Sequence, residues 1–395
     1  MPRRLKTVFH LALVRNHKSM RFSSLILKNL TRRRFRTVLT LSALSTAIAA
    51  VVALLGIARG FTKSFAEVYS AHGVDVVVSR QGSADRLSSS VDLGFVAKIE
   101  RVAAVDRAAG VLLETLSFEE QGVYGVPSMG ISPDSWLLGD YRLAAGNSLP
   151  ADDPKSLLLG VHLAERLKLK PNQVVDLFEE KYRVAGIFES PSTWENGSMI
   201  LPLAQLQSLT DRPGQVTYIN VVLRRPITSD QASRAVEAIE TLDPKLLALA
   251  TEDFVKSDTR MQLSSAMAWM TSAVAIFIGA IGTLNTMMTS VLERTREIGI
   301  LRAIGWPRRR VVTMILAESC FIALLASLIG GVLAIIGTWA LSHAPAAKGI
   351  LSPHIDVRIL FQGILLALII GMLGALLPAW RAAKMQPTEA FRDAV

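Results

Sequence analysis

Ser290-Val-Leu-Glu-Arg-Thr-Arg-Glu-Ile-Gly-Ile-Leu-Arg-Ala-Ile-Gly-Trp-Pro-Arg-Arg-Arg310 is the one dense charge cluster in the last third of the chain, and a long apolar run lies on each side of it. A charged helical segment between two membrane spans has to sit at a membrane face. Six of these residues are Arg, and short Arg-rich loops stay on the cytoplasmic side. A short, ordered cytoplasmic loop on a membrane protein is a docking surface for a soluble partner.

Working outward, the apolar runs without charge are Val38–Ala58 and Ser264–Leu292. Val311–Ser342 carries Glu318 as its only acid, and Ile359–Trp380 ends on Pro378 and Trp380. At 1.5 Å per residue the first run covers roughly 30 Å, the thickness of a hydrocarbon core. It follows too long a basic segment to be a cleaved leader, so it reads as a retained anchor with its N-terminus inside.

The chain then divides into a basic cytoplasmic tail with an interfacial helix (1–37), a first transmembrane helix (38–60), and an outer domain with stalk helices (61–263). A second span (264–292), a cytoplasmic loop (293–310), a third span (311–342), a short outer loop (343–358), a fourth span (359–380) and a cytoplasmic tail (381–395) follow. Phe22, Leu25, Ile26, Leu30 and Phe35 interleave with Arg21, Lys28 and Arg32–Arg34, the pattern of a basic amphipathic helix in the headgroup region of the bilayer.

Charge distribution agrees with this topology. The 395 residues are 50% hydrophobic and carry a formal charge of +10. Residues 1–37 hold 11 Lys/Arg and no acid, whereas 59–263 hold 21 Lys/Arg against 27 Asp/Glu. Basic segments confined to membrane flanks mark orientation and argue against a nucleic-acid partner. The single cysteine, Cys320, excludes a disulfide within the chain and any multi-Cys metal site. The six His (His10, His17, His72, His162, His343, His354) are scattered, so no metal site is expected.

The 205-residue outer segment is expected to be α+β. Strands are predicted over Val74–Val78, Thr217–Leu223 and Leu247–Thr251, and a hairpin-like pair over Val174–Phe178 and Tyr182–Glu189. Helices are predicted over Ser90–Arg101, Val161–Leu167 and, from a Ser N-cap, Ser229–Thr241. Residues 129–135 and 145–155, rich in Gly, Pro, Ser and Asp, read as loops that mark two lobes.

Three stretches resemble the MacB/FtsX-type ABC transporter permease family. The most specific is Met287–Gly305. The run Leu157–Ala164, followed by Tyr182–Phe188 and Met199–Leu203, is similar to the family's periplasmic core. Leu377–Arg392 is similar to its last span and tail. The compact outer segment resembles MacB- or DevC-type permeases more than ten-span members. The resemblance implies a dimer of permeases working with two ATPase subunits. It also implies a coupling helix between the second and third spans, and transmission of ATP-driven closure along stalk helices to the outer domain.

On that reading the ATPase coupling residues are Glu293, Arg294, Arg296, Glu297, Ile298, Gly299, Leu301, Arg302 and Gly305. Glu293 can face Arg296, and Arg294 can face Glu297, at i,i+3 spacing. Ile298, Leu301 and Ile304 form an apolar edge. Gly305 suits a helix C-terminus and Pro307 the start of the next helix. Glu318, an acid inside a span, is costly unless paired; a Ser/Thr or an Arg of the interfacial helix is its expected partner. Gly279, Gly282, Thr283 and Asn285 form a small-residue face suited to a dimer interface. Met261, Met267, Met270, Met287 and Met288 read as lipid-facing or dimer packing.

The sequence has no G-x-x-x-x-G-K-[ST] loop to cradle nucleotide phosphates and none of the catalytic motifs H-E-x-x-H or G-x-S-x-G. It therefore reads as a non-enzymatic subunit without a cofactor of its own, with ATP and Mg²⁺ bound by a separate ATPase. Two functions compete. One is an exporter or extractor of a hydrophobic or amphipathic substrate, completed by a periplasmic membrane-fusion adaptor and an outer-membrane channel. The other is an FtsX-like transducer that activates a cell-wall hydrolase without transport.

Overall fold

A computed structural model describes residues 34–82, 89–178, 180–226, 228–344 and 352–385. The expected interfacial helix and basic tail up to residue 33, the middle of the 343–358 loop and residues 386–395 lie outside the described residues. The contacts group into two compact units. One comprises the chain up to Val52, Met270–Ile335 and the chain from Val357; the other comprises Ala53–Trp269 and Ile336–Asp356.

The second unit is built on a ten-stranded sheet. Helix α1 (Arg34–Ser70) leads into β1 (Val76–Arg80), β2 (Val91–Asp92), α2 (Phe95–Ile99), β3 (Val105–Phe118) and β4 (Val123–Ile131). Next come α3 (Trp136–Gly139), β5 (Arg142–Gly146), β6 (Ser156–Gly160), α4 (Val161–Leu167), β7 (Val174–Leu177) and β8 (Glu180–Glu189). Then come α5 (Thr193–Asn196), β9 (Met199–Pro202), α6 (Leu203–Leu209), β10 (Gln215–Val216), β11 (Tyr218–Leu223), α7 (Ser229–Glu240), β12 (Leu246–Ala250) and α8 (Thr251–Ser257).

The strand order is β12-β1-β11-β3-β4-β9-β6-β8-β5, with β7 on β8. Among the described strands, only β4/β9 and β6/β8 are parallel. Strands β2 and β10 form a separate antiparallel pair.

Both faces of the large sheet are covered, which the period-2 direction of strand side chains makes visible. Val76, Val78, Leu157 and Leu159 enter one core with Leu163 of α4, Leu206 of α6 and Ile239 of α7. The intervening Val77 and Leu158 enter another, with Phe65 and Tyr69 of α1, Leu137 of α3 and Phe254 of α8. Tyr69 makes edge contacts with Tyr218 and Phe254 at ring separations of 5.9 and 5.5 Å, seating the end of α1 on the sheet.

Strands β7 and β8 pair antiparallel, as expected of a hairpin, with Val174 opposite Arg183, and β8 begins at Glu180, two residues before the expected Tyr182. Three expectations need correction. The helix over Ser90–Arg101 shrinks to Phe95–Ile99, because Val91–Asp92 pairs with β10 and the Asp92 carboxylate accepts the Gly94 N–H at 2.7 Å. Residues 129–131 belong to β4 and 145–146 to β5, within one sheet rather than between two lobes. The N-cap of α7 is Thr228, in a capping box with Gln231, not Ser229.

In the same unit, residues 352–356 lie along α1. A Cβ on Gly60 would stand 1.9 Å from the Ser352 carbonyl oxygen. The Gly56 carbonyl accepts the His354 N–H at 3.0 Å, and Arg59 pairs with Asp356 at 3.1 Å.

Among the described residues, four helices are long and apolar enough to cross a membrane: α1, α9 (Thr259–Glu293), α11 (Arg308–Ser342) and α12 (Val357–Lys384). The short α10 (Thr295–Ala303) connects α9 to α11. The first unit packs these closely. The Ser319 hydroxyl of α11 donates to the Gly371 carbonyl of α12 at 2.7 Å, and a Cβ on Gly374 would lie 2.7 Å from Thr283. Pro378 lies inside α12, which continues past Trp380 to Lys384.

Candidate functional site

The connection between α9 and α11 is one short helix held at both ends. At its start, Arg294 takes a non-helical conformation and breaks α9 from α10. Its guanidinium donates to Glu297 at 3.3 Å and to Glu318 at 2.9 Å. Arg294 and Glu318 are only 12% and 10% exposed through their side chains, so the pair is largely desolvated. Glu318 lies ten residues into α11, roughly 15 Å along its axis. Its partner is therefore Arg294 of the connection itself, in place of the expected Ser/Thr or interfacial-helix Arg. Residue spacing alone did not pair them, because they are 24 positions apart.

At its end, Gly305 adopts φ +100°. Its N–H bonds the Arg302 carbonyl at 3.1 Å, and the Trp306 N–H reaches back to Leu301 at 3.0 Å. This is a Schellman closure, in which a left-handed glycine satisfies the last carbonyls. Arg302 donates from Nη1 to the Trp306 carbonyl at 2.9 Å, so its side chain braces the turn.

The apolar edge expected from Ile298, Leu301 and Ile304 is split. Ile298 is buried and Leu301 packs beside it, in a core with Met287, Val311, Ile315 and Ala379. Ile304 is 74% and Ile300 40% exposed. Gly299 is buried, while Glu293, Arg296 and Glu297 are exposed. The outward surface is thus Ile300 and Ile304 among mixed charges, and the inward surface anchors α10 to the bundle.

The small-residue face of α9 is also split. A Cβ on Gly279 would meet Ala47 and Ile370, and Thr283 is buried against Gly374. These two close contacts within the chain. Gly282, with nothing within 4 Å of a built Cβ, and Asn285 face outward beside Ile278 and Ile281. Among the expected Met residues, Met261 and Met287 are buried, whereas Met267 and Met270 are exposed.

Sequence reading missed a second polar assembly, in the α+β unit. Glu195 of α5 is fully buried and accepts hydrogen bonds from Tyr141 Oη at 2.7 Å and from the Ser190 hydroxyl. His72, just beyond α1, places Nε2 3.4 Å from Glu195 Oε1 and Nδ1 3.8 Å from Asp140. Two helical turns earlier, the Ser64 hydroxyl accepts the Trp194 backbone N–H at 3.1 Å, while Ser192 donates to the Ser64 carbonyl at 2.7 Å. Burial, and then the adjacent Glu195 carboxylate, push the Tyr141 phenol well above the usual tyrosine range. Tyr218 is raised in the same way. The assembly clamps the end of α1 to the sheet. Its members lie up to 130 residues apart, with no motif to join them. Among the described residues, no three His, Cys, Asp or Glu side chains are placed to hold a metal ion.

Four apolar spans, an α+β domain between the first and second, and a braced charged helix between the second and third define a permease component of an ABC transporter. Residues 37–239 match the MacB-like periplasmic core domain, and residues 269–387 match the FtsX-like permease C-terminal domain. The chain belongs to this MacB/FtsX-type permease family.

An uncharacterized ABC transporter permease of Methanocaldococcus jannaschii, MJ1507, is 23% identical over 95% of this chain and 99% of its own length. The macrolide export ATP-binding/permease protein MacB of a Shewanella species is 25% identical over 92% of this chain. The chain spans 59% of that relative's length. The crystal structure of the periplasmic region of MacB from Actinobacillus actinomycetemcomitans superposes with a TM-score of 0.38 at 13% identity, covering 48% of this chain and 94% of that one.

Proposed function

We propose that this chain is the membrane subunit of a mechanotransmission ABC transporter, driven by a separate ATPase that binds ATP and Mg²⁺. The observation that supports this best is α10. Its outward side presents Ile300 and Ile304 among Arg296, Glu297 and Glu293, an apolar contact ringed by charge. Its inward side is fastened to α11 by Arg294–Glu318 and by Ile298. A push on α10 therefore moves the ends of α9 and α11 as one body. Helix α9 has 35 residues, roughly 52 Å, and is long enough to carry that motion beyond a bilayer.

In this reading the protein is a multi-pass inner-membrane protein with both termini and residues 293–310 in the cytoplasm. The domain at 61–263 is periplasmic, and the remaining boundaries follow the four spans. The permease forms a homodimer, for which Gly282 and Asn285 supply the outward face of α9. An outward Asn in a span gains most by bonding a neighbouring helix. A hydrophobic or amphipathic substrate is exported or extracted, with a periplasmic adaptor and an outer-membrane channel as further partners.

The test is affinity capture of the full chain from mild detergent, with mass spectrometry of the captured proteins. An ATPase together with an adaptor is the expected result. An ATPase with a cell-wall hydrolase or its activator would replace export by signal transduction. Absence of any ATPase, even with a trapping nucleotide, would overturn the coupling role of α10.

A further inference from the structure

A cavity of about 240 Å³ opens in the α+β unit beside the outer part of α1. Three aromatic rings line it from separate elements: Phe61 of α1, Tyr124 of β4 and Trp194 of α5. Tyr124 is 65% exposed, a large ring held open to solvent on a cavity wall. Pro127 adds a further apolar surface. The two basic lining residues are His162 and Arg166, one turn apart on the same face of α4. No acid lines the cavity. Arg166 makes no ion pair with a described residue, and Nδ1 of His162 is enclosed without a hydrogen-bond partner among them.

An enclosed polar nitrogen without a partner is costly, and an unpaired guanidinium beside apolar walls suits a carboxylate or phosphate. The walls favour hydrocarbon over a hydrated ion. We propose that this cavity binds an anionic amphiphile, a carboxylate or phosphate carrying an acyl chain. The chain lies against Phe61, Tyr124, Pro127 and Trp194, and the head group is held by Arg166 and His162. The volume is below that of a drug-sized site, so it takes a segment of chain and leaves the rest outside.

Such a ligand would touch both sides of the α1 junction. Trp194 packs its ring edge-on against Phe65 at 6.1 Å, and its backbone N–H is the one bonded to the Ser64 hydroxyl. Occupancy would stiffen the contact between α1 and α5. The binding itself needs neither ATP nor a partner, so it stands or falls separately from the coupling role of α10.

The test uses the full chain in nanodiscs of zwitterionic lipid, titrated with 11-bromoundecanoate, whose bromine quenches tryptophan on contact. Saturable quenching that disappears in Trp194→Phe is expected, above the background from other tryptophans. Arg166→Gln, at an exposed position that leaves the fold intact, should weaken the probe about tenfold, and Arg166→Lys should recover part of that loss. The alcohol 11-bromoundecanol should bind at least tenfold more weakly. Doping the discs with anionic lipid distinguishes the sources: competition assigns the ligand to the bilayer, and its lack assigns a free amphiphile. Equal quenching in Trp194→Phe, or equal affinity of acid and alcohol in wild type and Arg166→Gln, would overturn the proposal.

Discussion

The guanidinium of Arg294, in the break between α9 and α10, lies 2.9 Å from Oε2 of Glu318 on α11. Removing one partner of a largely buried pair leaves a charge with neither water nor counterion, at a cost of about 3–5 kcal/mol. Glu318→Ala and Arg294→Ala should therefore each lower the unfolding midpoint in detergent. The exchange Arg294→Glu with Glu318→Arg should recover part of the loss. Equal stability of wild type and both single variants would remove this pair from the account of the connection.

Ile304 and Ile298 separate two roles on one helix. Ile304→Glu alters an exposed side chain and should leave folding unchanged while reducing ATPase co-purification at least tenfold. Ile298→Glu buries a carboxylate in the bundle and should lower yield and thermal stability first. If Ile304→Glu retains the ATPase at the wild-type level, the outward face of α10 is not the docking surface. Arg302 is a poor probe of docking, because its charge reversal would also remove the brace to Trp306.

Gly374 and Gly282 form a similar contrast. A side chain at Gly374 would collide with Thr283, so Gly374→Leu should destabilise the bundle by about 1–3 kcal/mol. Gly282 faces open space within the chain, so Gly282→Leu should leave the protomer's melting unchanged. If α9 forms the dimer interface, Gly282→Leu should also lower the dimer fraction in cross-linking experiments. An unaltered fraction would place that interface elsewhere.

Tyr141 links stability to alkaline pH. Its folded-state pKa is raised by burial and by Glu195, so unfolding releases a proton once pH exceeds the unfolded value of about 10. The stabilisation is fully present below that value and is lost as pH rises toward the folded pKa. Denaturant titrations from pH 8 to 11 should show falling stability, with a shallower fall in Tyr141→Phe. Glu195→Ala should cost about 1–3 kcal/mol for each buried donor it strands, read by the same titration at neutral pH.

The spans were legible in the sequence because hydrocarbon excludes charge over a fixed length, a requirement that local composition displays. The turn at Gly305 was legible for a similar local reason. Strands β3 and β4 were not. Both faces of their sheet are covered, so Ala108, Ala109, Val111, Leu112 and Leu113 are all buried and alternation vanishes. The Glu195 clamp was hidden because its partners converge from just beyond α1, from the approach to β5 and from the β8–α5 turn only after the sheet has formed. In the connection, charge pattern located α10, but side-chain direction decided that Ile298 turns inward while Ile304 turns outward.

The ion pair of Arg59 with Asp356 joins positions 297 residues apart. At ribosomal speeds of about 5–20 residues per second, roughly 15–60 s separate the synthesis of the two. Throughout that interval Arg59 has no Asp356 to pair with, and the close approach at Gly56 and Gly60 has no chain to receive. The strap is thus a late arrival: the first apolar helix receives it only when nearly the whole polypeptide has been made.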